Sequence, residues 1–151
     1  MEQIIQLNNQ AKLSEHFTLG EFTRSASHPE VYNIPSHEAI ANLKRLCGWL
    51  EVLRERSGTP IRINSGYRSP QLNRAIHGNA NSNHMTGCAC DIRVSGMEQA
   101  LRYAVILMDY ADESQQEFDE LLIERNRYGA IWVHFAVRTK DNRRKILFIN
   151  A

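Results

Sequence analysis

Between Ser36 and Gly58 the chain repeats apolar residues at helical spacing: Ile40, Leu43, Leu46, Cys47, Leu50 and Leu53. Serine is a good N-cap and glycine a good stop, so the stripe predicts a helix over about residues 37–56. One long helix with a single apolar face needs other elements to cover that face. A second helix is expected over Met97 to Tyr110, with Ala100, Leu101, Ala104, Val105 and Met108 on one side.

The remaining segments read mostly as short strands. Ile61 to Asn64 alternates, and Cys88 to Val94 forms a second run. Phe118 to Glu124 and Ala130 to Val137 suggest a hairpin around Asn126-Arg127-Tyr128-Gly129. Lys145 to Ile149 adds a last strand after a turn at Asp141-Asn142. Ser69 and Pro70 open a short helix through Ile76, which Gly78 ends. Thr18 to Phe22 is expected as a helical turn anchored by Phe17, Leu19 and Phe22. Residues 1–16 read as a flexible lead-in and 17–151 as one domain. Helices come first and strands cluster late, which predicts an α+β fold: a small antiparallel sheet with helices packed on one side.

Composition excludes several classes. A formal net charge of +1 leaves no large basic field, so no nucleic-acid partner is expected. No apolar run approaches the roughly 20 residues of a transmembrane segment. Met1 to Leu7 lacks the basic and then apolar pattern of a secretory signal, so the protein is expected to be cytoplasmic at synthesis. Three cysteines are too few for a disulfide framework. A monomer is the simplest expectation, although the sequence leaves oligomeric state open.

The chemistry concentrates in His84, Asp91 and His134. Two imidazoles and one carboxylate form a complete protein ligand set for a catalytic zinc ion, whose fourth position stays open for water. The first two lie in a loop and the strand that follows it, and His134 sits in the late hairpin. Cys88 and Cys90 flank the site as rival ligands, but in a regular strand they point away from Asp91. His16, His28, His37 and His77 carry no supporting pattern and read as surface residues.

Neighbouring residues sharpen this reading. Ser65-Gly66-Tyr67-Arg68-Ser69-Pro70 with Asn73 comes first. Ser82-x-His84-x-x-Gly87-x-Ala89-x-Asp91 follows, and Trp132-Val133-His134 closes the set. Taken together, these residues resemble the zinc D-alanyl-D-alanine carboxypeptidase-like peptidases, a family that shares its fold with the hedgehog signalling domain. The early Phe17 to Phe22 segment is similar to that family's N-terminal pattern, and the resemblance extends to about Val137.

The resemblance implies that His84, Asp91 and His134 are zinc ligands. It also implies that Arg68 lies near the substrate carboxylate or reacting carbonyl and that Ser82 helps to hold the site. Gly87 and Ala89 are then small so that the metal loop can pack close to the sheet; the alternative for Gly87 is a positive φ angle. Trp132 would line the cleft or pack in the core. The implied reaction is hydrolysis of a peptide bond in a peptidoglycan stem peptide, as carboxypeptidase or endopeptidase. The missing signal fits a phage-type, endolysin-like or tail-associated enzyme that reaches the cell wall after release or by another export route.

One element of the family pattern is missing. Many relatives carry an acid three positions before the last zinc histidine, where this chain has Ile131. Glu124 resembles the glutamate of another branch, and the hairpin register decides whether it can serve. A three-residue loop at Arg127-Tyr128-Gly129 places Glu124 opposite Trp132 and on the face of His134; a four-residue loop turns it away. Residue preference favours the first, with Gly129 in the left-handed position. The alternative function is a catalytically impaired, zinc-containing binding module of the same fold.

Overall fold

The computed structural model describes residues 8–150. The readings of Met1 to Leu7 as part of a lead-in, and as lacking a signal, lie outside the described residues. The elements run α1 (Leu19–Thr23), α2 (His37–Ser57), β1 (Ile63–Ser65), α3 (Pro70–Ala75), a 310 turn (Asn83–Thr86), β2 (Ala89–Arg93), α4 (Met97–Ser114), β3 (Glu120–Arg125), β4 (Ile131–Ala136) and β5 (Lys145–Asn150).

Local signals explain most boundaries. Ser36 Oγ accepts from Ala39 N–H at the start of α2, and Gly58 closes that helix in the left-handed conformation with φ of 69°. Ser69 caps α3 in the same way, with Pro70 as its first residue. Glu21 reaches back to the backbone N–H of Thr18 at 2.7 Å, fixing the entry to α1.

The five strands form one sheet in the order β1-β2-β4-β3-β5. The first three pairings are antiparallel, as expected. β5 pairs with β3 in parallel, so the α+β fold carries a mixed sheet. Parallel pairing follows from the path after β4: the chain turns through 137–144 and re-enters beside β3 in the same direction, with Lys145 N–H bonded to Asp119 O.

One face of the sheet makes the core. Cys90, Ile92, Leu121, Ile123, Val133 and Phe135 are buried there against α2 and α4. Trp49 of α2 bridges the layers, stacking edge-on to Tyr110 at 5.0 Å and tilted against Phe135 at 5.5 Å. The buried stripe of α4 differs from the expected one. Ala100 and Ala104 face inward, but Tyr103, Leu107 and Ala111 complete the stripe, while Leu101 and Val105 are exposed. The alanines belong to either stripe, and the larger Tyr103 and Leu107 decide which side the core takes.

The packed unit begins before residue 17. Lys12 pairs with Thr18 as an isolated bridge, Leu13 enters the core, and Ser14 and His16 both bind Glu51 of α2. One apolar side chain, Leu13, and one carboxylate, Glu51, thus hold residues 12–16 against the rest of the fold. Among the described residues no helix is long and apolar enough to cross a membrane.

Candidate metal centre

Strand alternation sends the core side chains to one face and the candidate site to the other. Asp91 of β2 lies directly opposite His134 of β4 in the register. His134 in turn lies opposite Leu122 of β3, with Glu120 and Glu124 flanking on the same face. Asp91, His134 and both glutamates thus project from three adjacent strands on one side.

His84 reaches the same point from the 310 turn. Ser82 Oγ accepts the His84 backbone N–H at 3.1 Å, and Gly87 ends the turn with φ of 77°. On the far side of Gly87, Ala39 of α2 packs so closely that an added Cβ would lie 2.4 Å from its carbonyl oxygen. Gly87 is thus required for both reasons, the positive φ and the close approach, and the close neighbour is a helix rather than the sheet.

The three side chains converge, with one ligand atom from each within 4.8 Å of the others. His84 Nε2 and His134 Nδ1 lie 3.4 and 3.1 Å from the same Asp91 oxygen. These spacings match the edge of about 3.3 Å expected for a tetrahedron with metal bonds near 2.0–2.1 Å. Each ring nitrogen facing away has an acceptor: His84 Nδ1 lies 2.7 Å from Gly66 O, and His134 Nε2 lies 2.9 Å from Glu120 Oε1. With those nitrogens protonated, the other nitrogen of each ring is left for a cation. The donor set fits zinc.

The electrostatics fit as well. Burial disfavours the charge on Asp91, but the neighbouring imidazoles outweigh it and hold the carboxyl far below the usual carboxylate range. Burial also opposes charge on His134, yet its contacts with Asp91 and Glu120 raise its pKa to about 9. A cation entering the site therefore replaces a proton on that ring.

Arg68 stands beside the cluster, with Nη2 3.5 Å from Asp91, Nε 3.3 Å from Ser65 Oγ and Nη1 3.5 Å from Asn73 Oδ1. Glu124 lies opposite Trp132, the arrangement of the three-residue loop, and Gly129 takes φ of 85°. Burial first and the charge of Asp91 second raise the Glu124 pKa. The indole Nε1 of Trp132 is buried beside Glu124, where its N–H lowers the Glu124 pKa against those two effects. Arg68, Ser82, Glu124 and Trp132 line one cleft of about 850 Å³ together with His84, Asp91 and His134.

Some side chains stay outside the site. Ile131 packs partly buried against the core and reaches no proton in the cleft. Cys88 and Cys90 are buried, and Cys90 belongs to the core on the face opposite Asp91. His16 and His37 are exposed and His28 is half-buried, and none of the three lines the cleft; exposed His77 does line it but is not among the three clustered ligand-type side chains.

Glu120 is the residue the sequence reading missed. It accepts from His134 Nε2 and from Asn83 Nδ2, and Arg143 lies 3.5 Å from its second oxygen. The signal was present, since the alternation that puts Glu124 on the site face puts Glu120 there too.

A family model described as Peptidase M15 matches residues 15–110, well over half the chain. The match includes His84 and Asp91 and ends before His134 and Glu124, whose placement rests on the sheet register. No curated protein matches the chain.

Proposed function

The chain belongs to the peptidase M15 family of zinc peptidases, and from that premise we propose that it hydrolyses a peptide bond in the stem peptide of bacterial peptidoglycan, as carboxypeptidase or endopeptidase. One observation carries the reading: His84, Asp91 and His134 meet in a cleft that also holds Arg68 and a glutamate of raised pKa.

In this reading His84 Nε2, an Asp91 oxygen and His134 Nδ1 hold zinc. The ion supplies Lewis acidity, acidifying a water and polarising a carbonyl. Arg68 offers a planar, permanently charged donor fork to the substrate oxygen on which negative charge develops. Asn73 and Ser65 steady that fork from behind. Glu124 takes the proton of the attacking water and hands it to the leaving amine nitrogen. Glu120 is a poorer base, because its contact with His134 lowers its pKa and its oxygens are already shared. Trp132 lines the cleft with its indole beside Glu124, and Ser82 holds the turn that carries His84.

The second reading is a zinc-containing binding module without turnover. Ile131, in the position where many relatives have an acid, favours it; the half-buried Glu124 on the face of His134 opposes it. Amine release from purified muropeptides by the zinc-loaded protein separates the two. The enzyme reading expects release, lowered about 10²–10⁴-fold in Glu124→Gln with zinc content unchanged. No release by the zinc-replete parent would leave the binding module. Failure to bind zinc would remove both. Action at the cell wall, after release or by another export route, belongs to the same proposal.

A further inference from the structure

A second cleft, of about 390 Å³, opens where the segment leading into β1 meets α1, α2 and the end of β2. It shares no lining residue with the cleft above His84, Asp91 and His134. Four arginines from four segments line it. Arg24 is the C-cap of α1, Arg54 sits in the last turn of α2, Arg62 precedes β1 and Arg93 ends β2. The backbone N–H of Arg93 donates to Arg62 O at 2.9 Å, which fixes two of them side by side.

Among the described residues none of these arginines pairs with a carboxylate. Arg24 has only a 3.5 Å contact with Ile63 O. The nearby acidic groups are held by other partners. Glu21 itself lines the cleft, one carboxylate against the four arginines, and accepts from the Thr18 N–H at 2.7 Å and its hydroxyl at 3.2 Å. Glu51, one turn before Arg54, is held by Ser14 and His16. The floor includes buried Phe17, Ile61 and Ile63, and such apolar walls strengthen an ionic contact beyond its value in open water.

We propose that this cleft binds a single phosphate group, free or carried as a phosphoester on a small molecule. Guanidinium forks match the oxygens of phosphate two at a time, and its charge of nearly two suits four cations better than one carboxylate does. The arginines are confined to one concave site on a chain of net charge +1. A nucleic-acid backbone calls instead for a basic stripe with many contacts.

The test is a titration of the isotope-labelled, zinc-loaded protein with inorganic phosphate and with glycerol 3-phosphate, followed by amide shifts. The proposal expects saturable shifts at Arg24, Arg54, Arg62 and Arg93. It also expects affinity to fall at least about tenfold in the double variant R62Q/R93Q, with zinc content and circular dichroism unchanged. R62K/R93K should retain more binding than the glutamine pair. Should R62Q/R93Q fold poorly, R24Q/R54Q makes the same comparison. Tighter binding of glycerol 3-phosphate points to a phosphoester, and equal binding points to free phosphate. Shifts confined to the metal cleft, or affinity unchanged in the glutamine variants, would overturn the proposal. So would preferred binding of duplex DNA with a salt dependence showing many released counterions.

Discussion

Glu120 and Glu124 stand on the same face of β3, yet their surroundings pull their proton affinities apart. The hydrogen bond to His134 lowers Glu120, while burial beside Asp91 raises Glu124. Glu120 is therefore suited to hold His134 in one tautomer, with Nε2–H donated and Nδ1 free for metal. Glu120→Ala should weaken zinc binding about 10–100-fold, as loss of such a partner to a ligating histidine usually does. Glu120→Gln should recover most of that loss, because its amide oxygen can accept the same proton. Competition with a chelator of known affinity measures both. Equal loss in the two variants would mean that charge rather than the hydrogen bond is what matters. The candidate trio was legible because two imidazoles and a carboxylate stand within a set of motifs that resembles a zinc peptidase family, and the structure brings one atom of each within 4.8 Å of the others. Glu120 was not, because a carboxylate acting through another residue leaves no spacing rule; only the register identifies its partner.

At the level of elements, the turn that carries His84 depends on one glycine. Gly87 has a positive φ and lies against the Ala39 carbonyl of α2, whereas Gly129 has a positive φ in open space. Gly129→Ala should cost about 1–2 kcal/mol, the penalty of a left-handed alanine. Gly87→Ala adds a clash with backbone and should cost about 2–4 kcal/mol. It should also lower zinc retention, which Gly129→Ala should leave intact. Urea midpoints and zinc occupancy of both proteins test this, and equal effects would refute the packing argument. The hairpin was readable for the same reason: a left-handed glycine at Gly129 selects the loop, and the loop sets the side on which Glu124 emerges. The partner of β5 was not readable. Alternation marks a strand but not its neighbour, and the parallel pairing with β3 depends on how the chain returns after β4. The α4 stripe misled because Ala100 and Ala104 suit either of two overlapping faces, and the larger Tyr103 and Leu107 turn the helix to the other one.

Across the whole molecule, Asp119 ties the site to the frame. Its side chain is fully buried and accepts from Arg143 Nε at 3.0 Å, Arg143 Nη2 at 2.8 Å and Asn83 Nδ2 at 2.8 Å. The Arg143 backbone N–H adds 3.0 Å and Arg138 Nε 3.2 Å. One carboxylate thus joins the start of β3, the metal loop at Asn83 and the segment between β4 and β5. Burial pushes its pKa up, but the bonds from Arg143 and Asn83 outweigh that and lower it to about 2. The folded value lies below the ordinary aspartate value of about 3.9, so the folded state binds this proton less readily than the unfolded chain. The resulting stability, about 2–3 kcal/mol, is fully present above roughly pH 5 and is lost as pH falls through 2. Asp119→Asn keeps the shape and removes the charge, leaving Arg143 and Arg138 without their counter-ion. The variant should be less stable than the parent at neutral pH by about 2–3 kcal/mol, with the half-exposed Arg143 limiting the loss. The gap between the two proteins should narrow steadily as the pH is taken from about 5 down through 2. Taking the difference cancels the titration of Asp91 and His134, which both proteins share. Urea unfolding of the metal-free pair over that range measures it, and a gap that stays constant with pH would show that Asp119 stabilises the fold by hydrogen bonding alone.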